Sequence, residues 1–142
     1  MNDILLIDDN SYVLETLALR IGMFLEDVNI LTAGNGREAI EIMDAQPVAF
    51  ILTDLQMPVL DGFGVIEHRN RHFPHIPLFA MSAAFTGEAQ ERLTALGITE
   101  HIEKPFDFEP LARKIVRALH AGSNVYAMLA GGATGKLSAH PV

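Results

Sequence analysis

The chain has 142 residues, enough for one domain with its own core and too few for two ordinary ones. Hydrophobic residues make up 49% and charged residues 20%, the balance of a globular chain rather than a disordered one. A formal net charge of -8 argues against a nucleic-acid partner, and the absence of cysteine excludes disulfide, thiolate and cysteine–metal chemistry.

Short apolar runs alternate with helical patterns along the chain. Ile4-Leu5-Leu6-Ile7 is a continuous apolar run ending at Asp8-Asp9, the pattern of a strand buried on both faces. Asn10 or Ser11 can cap a helix whose apolar face is Leu14, Leu17, Ile21 and Phe24. A second strand runs from Val28 to Thr32 and meets a Gly34-Asn35-Gly36 turn. Ala39, Ile40 and Met43 mark a second helix, which Pro47 ends. A third buried strand runs from Val48 to Thr53 and again ends at an acid, Asp54.

The loop from Gln56 to Gly62 leads into a third helix through His72. Pro74 and Pro77 flank the start of a fourth strand, Ile76 to Met81, with Ser82 at its end. A fourth helix covers roughly Gly87 to Ala95, with Gly97 as its C-terminal stop. Ile98 to Ile102 is the weakest strand, short and polar, and Lys104-Pro105-Phe106 closes it. Asp107 can cap a last helix with Leu111, Ile115, Ala118 and Leu119 on one face. Residues 1–121 thus read as one α/β domain. Residues 122–142 read as a flexible C-terminal tail or the start of a linker.

A strand–helix unit repeated five times implies a doubly wound parallel sheet with helices on both faces. In such sheets the working site lies beyond the carboxyl ends of the strands. Asp8, Asp9, Asp54, Ser82 and Lys104 all fall at those ends, although they are far apart in sequence. Three carboxylates brought together repel one another unless a cation joins them. A hard divalent ion such as Mg²⁺ suits them, and one carboxylate could then attack phosphorus to form an acyl phosphate. Lys104 would bring positive charge to the phosphoryl oxygens and Ser82 a hydroxyl donor. By the same repulsion argument, removing Asp8 or Asp54 is expected to stabilise the metal-free protein.

The acid pair Asp8-Asp9, Asp54 within Leu52-Thr53-Asp54-Leu55-Gln56-Met57-Pro58, Asp61-Gly62, Ser82 within Ala80-Met81-Ser82-Ala83 and Lys104-Pro105-Phe106 occur in one order and spacing. With them, the chain from about Asp3 to Leu119 resembles the receiver domains of two-component response regulators. The resemblance implies a flavodoxin-like (βα)5 fold with strand order 2-1-3-4-5. It implies that Asp54 is the phosphoacceptor, and that a sensor histidine kinase, a phosphotransfer protein or a small phosphodonor is the source. Asp9 and Asp54 would be side-chain ligands of Mg²⁺ (with Mn²⁺ as a substitute), Asp8 would act mainly through a metal-bound water, and the main-chain carbonyl of Gln56 would complete the protein ligands. Lys104 would pair with phosphoryl oxygens, and Ser82 would move toward the phosphate. A cis Lys104-Pro105 peptide bond is implied as well.

Output or homodimerisation would use the face of the fourth helix, fifth strand and fifth helix. The family often has Thr where Ser82 stands, and usually Tyr or Phe where His101 stands. His101 is either the switch residue or a surface residue of a weak edge strand. Ala84, with no polar group, and Gln56 occupy positions that tune phosphate lifetime in the family.

Other features carry plainer readings. His68, His72 and His75 read as a solvated face rather than a metal cluster, and Met23, Met43, Met57 and Met81 as core filler. The N-terminus has no basic region and no apolar stretch nears the roughly 20 residues of a membrane span, so the expected location is cytoplasmic. Two rival functions use a similar inventory. An aspartyl-phosphate hydrolase of the haloacid dehalogenase type would place its nucleophile on the first strand and its acid pair late, the reverse of the order here. A receiver-like interaction module would signal without phosphate.

Overall fold

The computed structural model describes residues 2–121 and residues 137–138. β1 (Asn2–Ile7) contains the predicted apolar run, and Ile4, Leu5, Leu6 and Ile7 are wholly buried. Asn10 caps α1 (Ser11–Phe24) by accepting from the N–H groups of Tyr12 and Val13. Leu14, Leu17 and Ile21 turn inward, as their spacing predicts. Met23 does not: it is 69% exposed and fills no core, because its place in the helical turn lies off the buried stripe.

A two-residue strand, β2 (Leu25–Glu26), precedes β3 (Val28–Ala33), and Asp27 between them adopts a left-handed backbone at φ 59°. α2 (Gly36–Ala45) is capped by Asn35, whose side chain accepts from the Glu38 N–H. β4 (Phe50–Asp54) is buried throughout, and α3 (Gly62–His72) starts from Asp61. β5 (Leu78–Ser82), α4 (Gly87–Ala95), β6 (His101–Glu103) and α5 (Phe108–Ala121) follow.

β6 is shorter than the sequence predicts. Gly97 takes φ 77° to stop α4, and the Ile98 N–H turns back to the Leu93 carbonyl, so Ile98 closes the helix and stays out of the ladder. Near the chain's end, β7 (Leu137–Ser138) pairs in parallel with Leu25–Glu26. The rest of the expected tail, residues 122–136 and 139–142, lies outside the described residues.

The main sheet is parallel, in the order β3-β1-β4-β5-β6. Leaving out the short β2, this is the order 2-1-3-4-5 of the five principal strands. Alternate side chains feed two cores. Leu5, Ile7 and Ile51 pack toward α2, α3 and α4 with Met43, Ile66 and Leu93. Ile4, Leu6, Phe50 and Leu52 pack toward α1 and α5 with Ile21, Leu111 and Ile115. Two-faced burial is why these strands are continuous apolar runs rather than alternating ones. Phe50, wholly buried, meets Phe79 edge to face at 4.8 Å between ring centres. Among the described residues no helix is long and apolar enough to cross a membrane.

Candidate functional site

Strand register brings the predicted residues together. Ile7 lies opposite Thr53 in the β1–β4 ladder, so Asp8 and Asp54, each one residue further, emerge side by side. Asp54 lies opposite Met81, and Ser82 opposite Glu103, so Ser82 and Lys104 come out at the same edge. The Lys104 N–H donates to the Ser82 carbonyl at 2.8 Å, and the Lys104-Pro105 bond is cis. Carboxylate oxygens of Asp8, Asp9 and Asp54 all lie within 4.8 Å of one another, a donor set that could hold a metal ion. Carboxylate oxygens are the donors hard cations prefer, so the residues present fit Mg²⁺.

The three acids differ in setting. Asp8 is 1% exposed; its Oδ1 accepts from the Asn10 N–H at 2.9 Å, and its Oδ2 takes the Lys104 ammonium at 2.7 Å. Asp9 is exposed at the rim. Asp54 is buried; its Oδ1 accepts from the Leu55 N–H at 3.0 Å, and its Oδ2 lies 3.5 Å from Lys104 Nζ. Burial pushes the Asp54 carboxyl above its ordinary range; Lys104 pulls it down, Asp8 pushes it up, and the Leu55 N–H pulls it down.

Supporting groups hold this edge. Thr53 Oγ1 donates to the Asp54 carbonyl at 2.9 Å. Asp61 caps α3 through the Gly64 N–H at 3.1 Å. Gly62 lies so close beneath the site that a Cβ there would overlap the Asp54 carbonyl oxygen and reach 2.8 Å from Leu55 Cα. The Asp61-Gly62 pair in the sequence thus has two separate physical reasons, a cap and a close backbone approach.

The response regulator receiver domain family matches residues 4–116. The chain belongs to this family. It is a receiver domain of the two-component response regulator type, a signalling module rather than a classical enzyme. Over 118 residues it is 30% identical to a response regulator of Rickettsia typhi described as NtrX-like, covering 82% of this chain and 24% of that one. It is 28% identical over 124 residues to a protein of Porphyra purpurea described as the transcriptional regulator ycf27, covering 86% of this chain and 49% of that one. The chain therefore spans about a quarter to about a half of these relatives. Among solved structures, Vibrio cholerae chemotaxis protein CheY4 aligns with a TM-score of 0.74 at 24% identity, covering 83% of this chain and 98% of that one. The N-terminal domain of a Wolinella succinogenes protein aligns with a TM-score of 0.78 at 20% identity, covering 86% and 97%. At these identities the structural likeness speaks to the fold.

The remaining predicted residues of the receiver domain divide. Ser82 is buried and used locally: its Oγ donates to the Ala84 carbonyl at 3.0 Å and accepts from the Ala84 N–H at 3.3 Å. Gln56 is exposed in the loop after Asp54. His101 is exposed on β6, and its ring lies 4.7 Å from that of Phe85. His68 pairs with Asp44 at 2.8 Å and lies 4.6 Å from the His72 ring; among the described residues the potential metal ligands that cluster are the three aspartates.

Sequence reasoning missed the Lys104–Asp8 pair, the role of Gly62, and Phe85. It also read past His120, which is buried with its Nε2 unpartnered among the described residues. The signal available for Phe85 was an aromatic residue three positions after the predicted hydroxyl.

Proposed function

We propose that this receiver domain accepts a phosphoryl group on Asp54 in a Mg²⁺-dependent reaction and uses it to switch the surface formed by α4, β6 and α5. The observation that supports this reading most is one pocket in which three carboxylates converge within 4.8 Å while a lysine ammonium stands 3.5 Å from Asp54 Oδ2. Asp8, Asp9 and Asp54 would hold Mg²⁺ (or Mn²⁺ in its place), with the main-chain carbonyl of Gln56 as a further ligand. Bound there, the ion supplies positive charge to the phosphoryl oxygens.

Asp54 Oδ1 is occupied by the Leu55 N–H, which leaves Oδ2, on the Lys104 side, as the attacking oxygen. An O–P bond forms on Asp54 as the P–N bond of a phosphohistidine donor breaks. The departing electron pair stays on the imidazole nitrogen, which takes up a proton. Lys104, already inside the acid cluster, shifts its charge to the new phosphoryl oxygens. Ser82 supplies its hydroxyl to another of them. Water later cleaves the acyl phosphate and restores the carboxylate; Ala84 carries no group to orient that water. The chemistry is self-phosphotransfer and autodephosphorylation, with no turnover of an external substrate.

The phosphoryl source in this reading is a sensor histidine kinase or a phosphotransfer protein in the cytoplasm. The α4–β6–α5 face controls an output or a partner, a second copy of the chain included. The relatives matched are response and transcriptional regulators of which this chain spans a part, which supports a receiver that governs something beyond itself.

Incubation with Mg²⁺ and acetyl phosphate or phosphoramidate, followed by intact mass, tests the reading. One phosphoryl group should be gained, and lost in EDTA or in Asp54→Asn with the fold intact. Equal uptake by Asp54→Asn refutes the assignment. Continuous phosphate release without an adduct points to a hydrolase, and no reaction points to a passive interaction module.

A further inference from the structure

Ser82 has one hydroxyl proton, and it is committed. Oγ donates it to the Ala84 carbonyl at 3.0 Å while accepting from the Ala84 N–H at 3.3 Å, closing a tight turn at the end of β5. A serine hydroxyl that turns to donate to a phosphoryl oxygen must release the Ala84 carbonyl, because the same proton cannot serve both acceptors. The two arrangements of the turn are therefore mutually exclusive rather than graded.

The next residue is Phe85. Its side chain is half-buried against the core that holds Leu93 and Ile98, and its ring is tilted 51° on the His101 ring at 4.7 Å. His101 stands between two cavities of about 260 Å³ each. One is walled by Gln90, Thr94 and Thr99, the other by Glu103, Pro110 and Lys114. Released from its present contact, the imidazole has room on either side.

We infer that Phe85 is the positioning residue that carries the state of Ser82 to the His101 surface: the turn at Ala84 holds Phe85 on His101, and freeing Ala84 unseats that ring pair. This rests on the reading of Asp54 as the phosphoacceptor and names how that site is regulated. It assigns the aromatic part of the device to the loop before α4, while β6 supplies an imidazole. The contact is bistable in the sense a switch needs, since a packed ring pair is either seated or not. Covering apolar surface needs no ring in contact with His101, so a role as plain core filler makes a different prediction.

NMR of the full chain, titrated with beryllofluoride and Mg²⁺, separates the two. The Leu55 amide reports loading, because its N–H donates to Asp54 Oδ1. The amides of Thr94 and Lys114, on the far walls of the two cavities, report the surface without lying under the Phe85 ring. In wild type all three should move with one midpoint. In Phe85→Leu, which keeps apolar bulk, Leu55 should still move, at a midpoint displaced by the coupling that is lost, while the Thr94 and Lys114 responses are lost; Phe85→Tyr should restore them. In Ser82→Ala the surface responses should be lost as well. Undiminished Thr94 and Lys114 responses in Phe85→Leu would overturn the inference while leaving the phosphoacceptor reading intact. A Leu55 amide that does not respond in wild type would overturn that reading, and the coupling with it.

Discussion

Neutralising Asp8 and neutralising Asp54 should move the stability of the metal-free protein in opposite directions, although both remove one charge from the same acid cluster. Replacement by Asn keeps size and one acceptor oxygen but turns the other into an NH2 donor, so at Asp8, where both oxygens accept, the charge and one acceptor are removed together. At an effective dielectric of about 20, unit charges at the Asp8–Lys104 separation of 2.7 Å attract by about 6 kcal/mol, and at the Asp54–Lys104 separation of 3.5 Å by about 5 kcal/mol, before any desolvation is counted. Asp8 holds the closer contact. Removing one partner of a buried pair costs about 3–5 kcal/mol, and Lys104, still 22% exposed, recovers part of that from water. Asp8→Asn should therefore lose about 2 kcal/mol.

For Asp54 the balance is the other way. Burial and Asp8 together outweigh Lys104 and the Leu55 N–H, so the fold disfavours the ionised form. Asp54→Asn should gain on the order of 1 kcal/mol, because Lys104 keeps Asp8 as its partner while a desolvated like charge is removed. A raised carboxyl means that the native state binds its proton more tightly than the unfolded chain does. The wild-type penalty is then present at neutral pH and shed as pH falls through the raised value toward the ordinary 3.8. The Asp54→Asn advantage should shrink over that window and vanish below it. Urea melts in EDTA at several pH values measure both effects. Two variants shifted in the same direction, or an Asp54→Asn gain that does not change with pH, would refute the argument. The expectation from sequence that losing either acid stabilises is revised for Asp8 on this ground.

Two further substitutions probe the frame around the site. Gly62→Ala forces a Cβ against the Asp54 carbonyl and must shift backbone, so it should cost more than about 2 kcal/mol and lower phosphoryl uptake together with Tm; a variant that melts and phosphorylates like wild type would show that the close approach is dispensable. Val59 is a β-branched residue at φ 73° and 75% exposed, so Val59→Asn should raise stability by about 1 kcal/mol by relieving left-handed strain with little packing lost. A lower urea midpoint would mean that the valine side chain has a contact worth more than the strain.

The legible parts of the fold were those written in local chemistry. Ile4-Leu5-Leu6-Ile7 could be read as a doubly buried strand, and Gly87 to Ala95 as a helix stopped by Gly97, because periodicity and caps act over a few residues. The site residues were legible as a set because parallel strands deliver their carboxyl ends to one edge. What stayed hidden depends on distance or on side-chain choice. The Lys104–Asp8 pair joins residues 96 apart, and nothing near either one distinguishes it from a pair with phosphate alone. Met23 follows apolar spacing by one residue too few, and Ile98 is buried for a reason other than strand pairing. β2 rests on pairing with Leu137–Ser138, more than a hundred residues further along the chain, which no local pattern announces.

Lys104 also has a consequence for cation affinity. Its ammonium already sits on Asp8 at 2.7 Å, so it is an intramolecular competitor for the very carboxylates a divalent ion needs. A divalent ion entering the pocket would have to displace it, with the lysine as leaving group. Taking the lysine away should tighten the pocket for metal even as it weakens the fold. If the pocket is the cation site proposed above, its affinity would be held down by a tethered charge, released when some other anion calls for it.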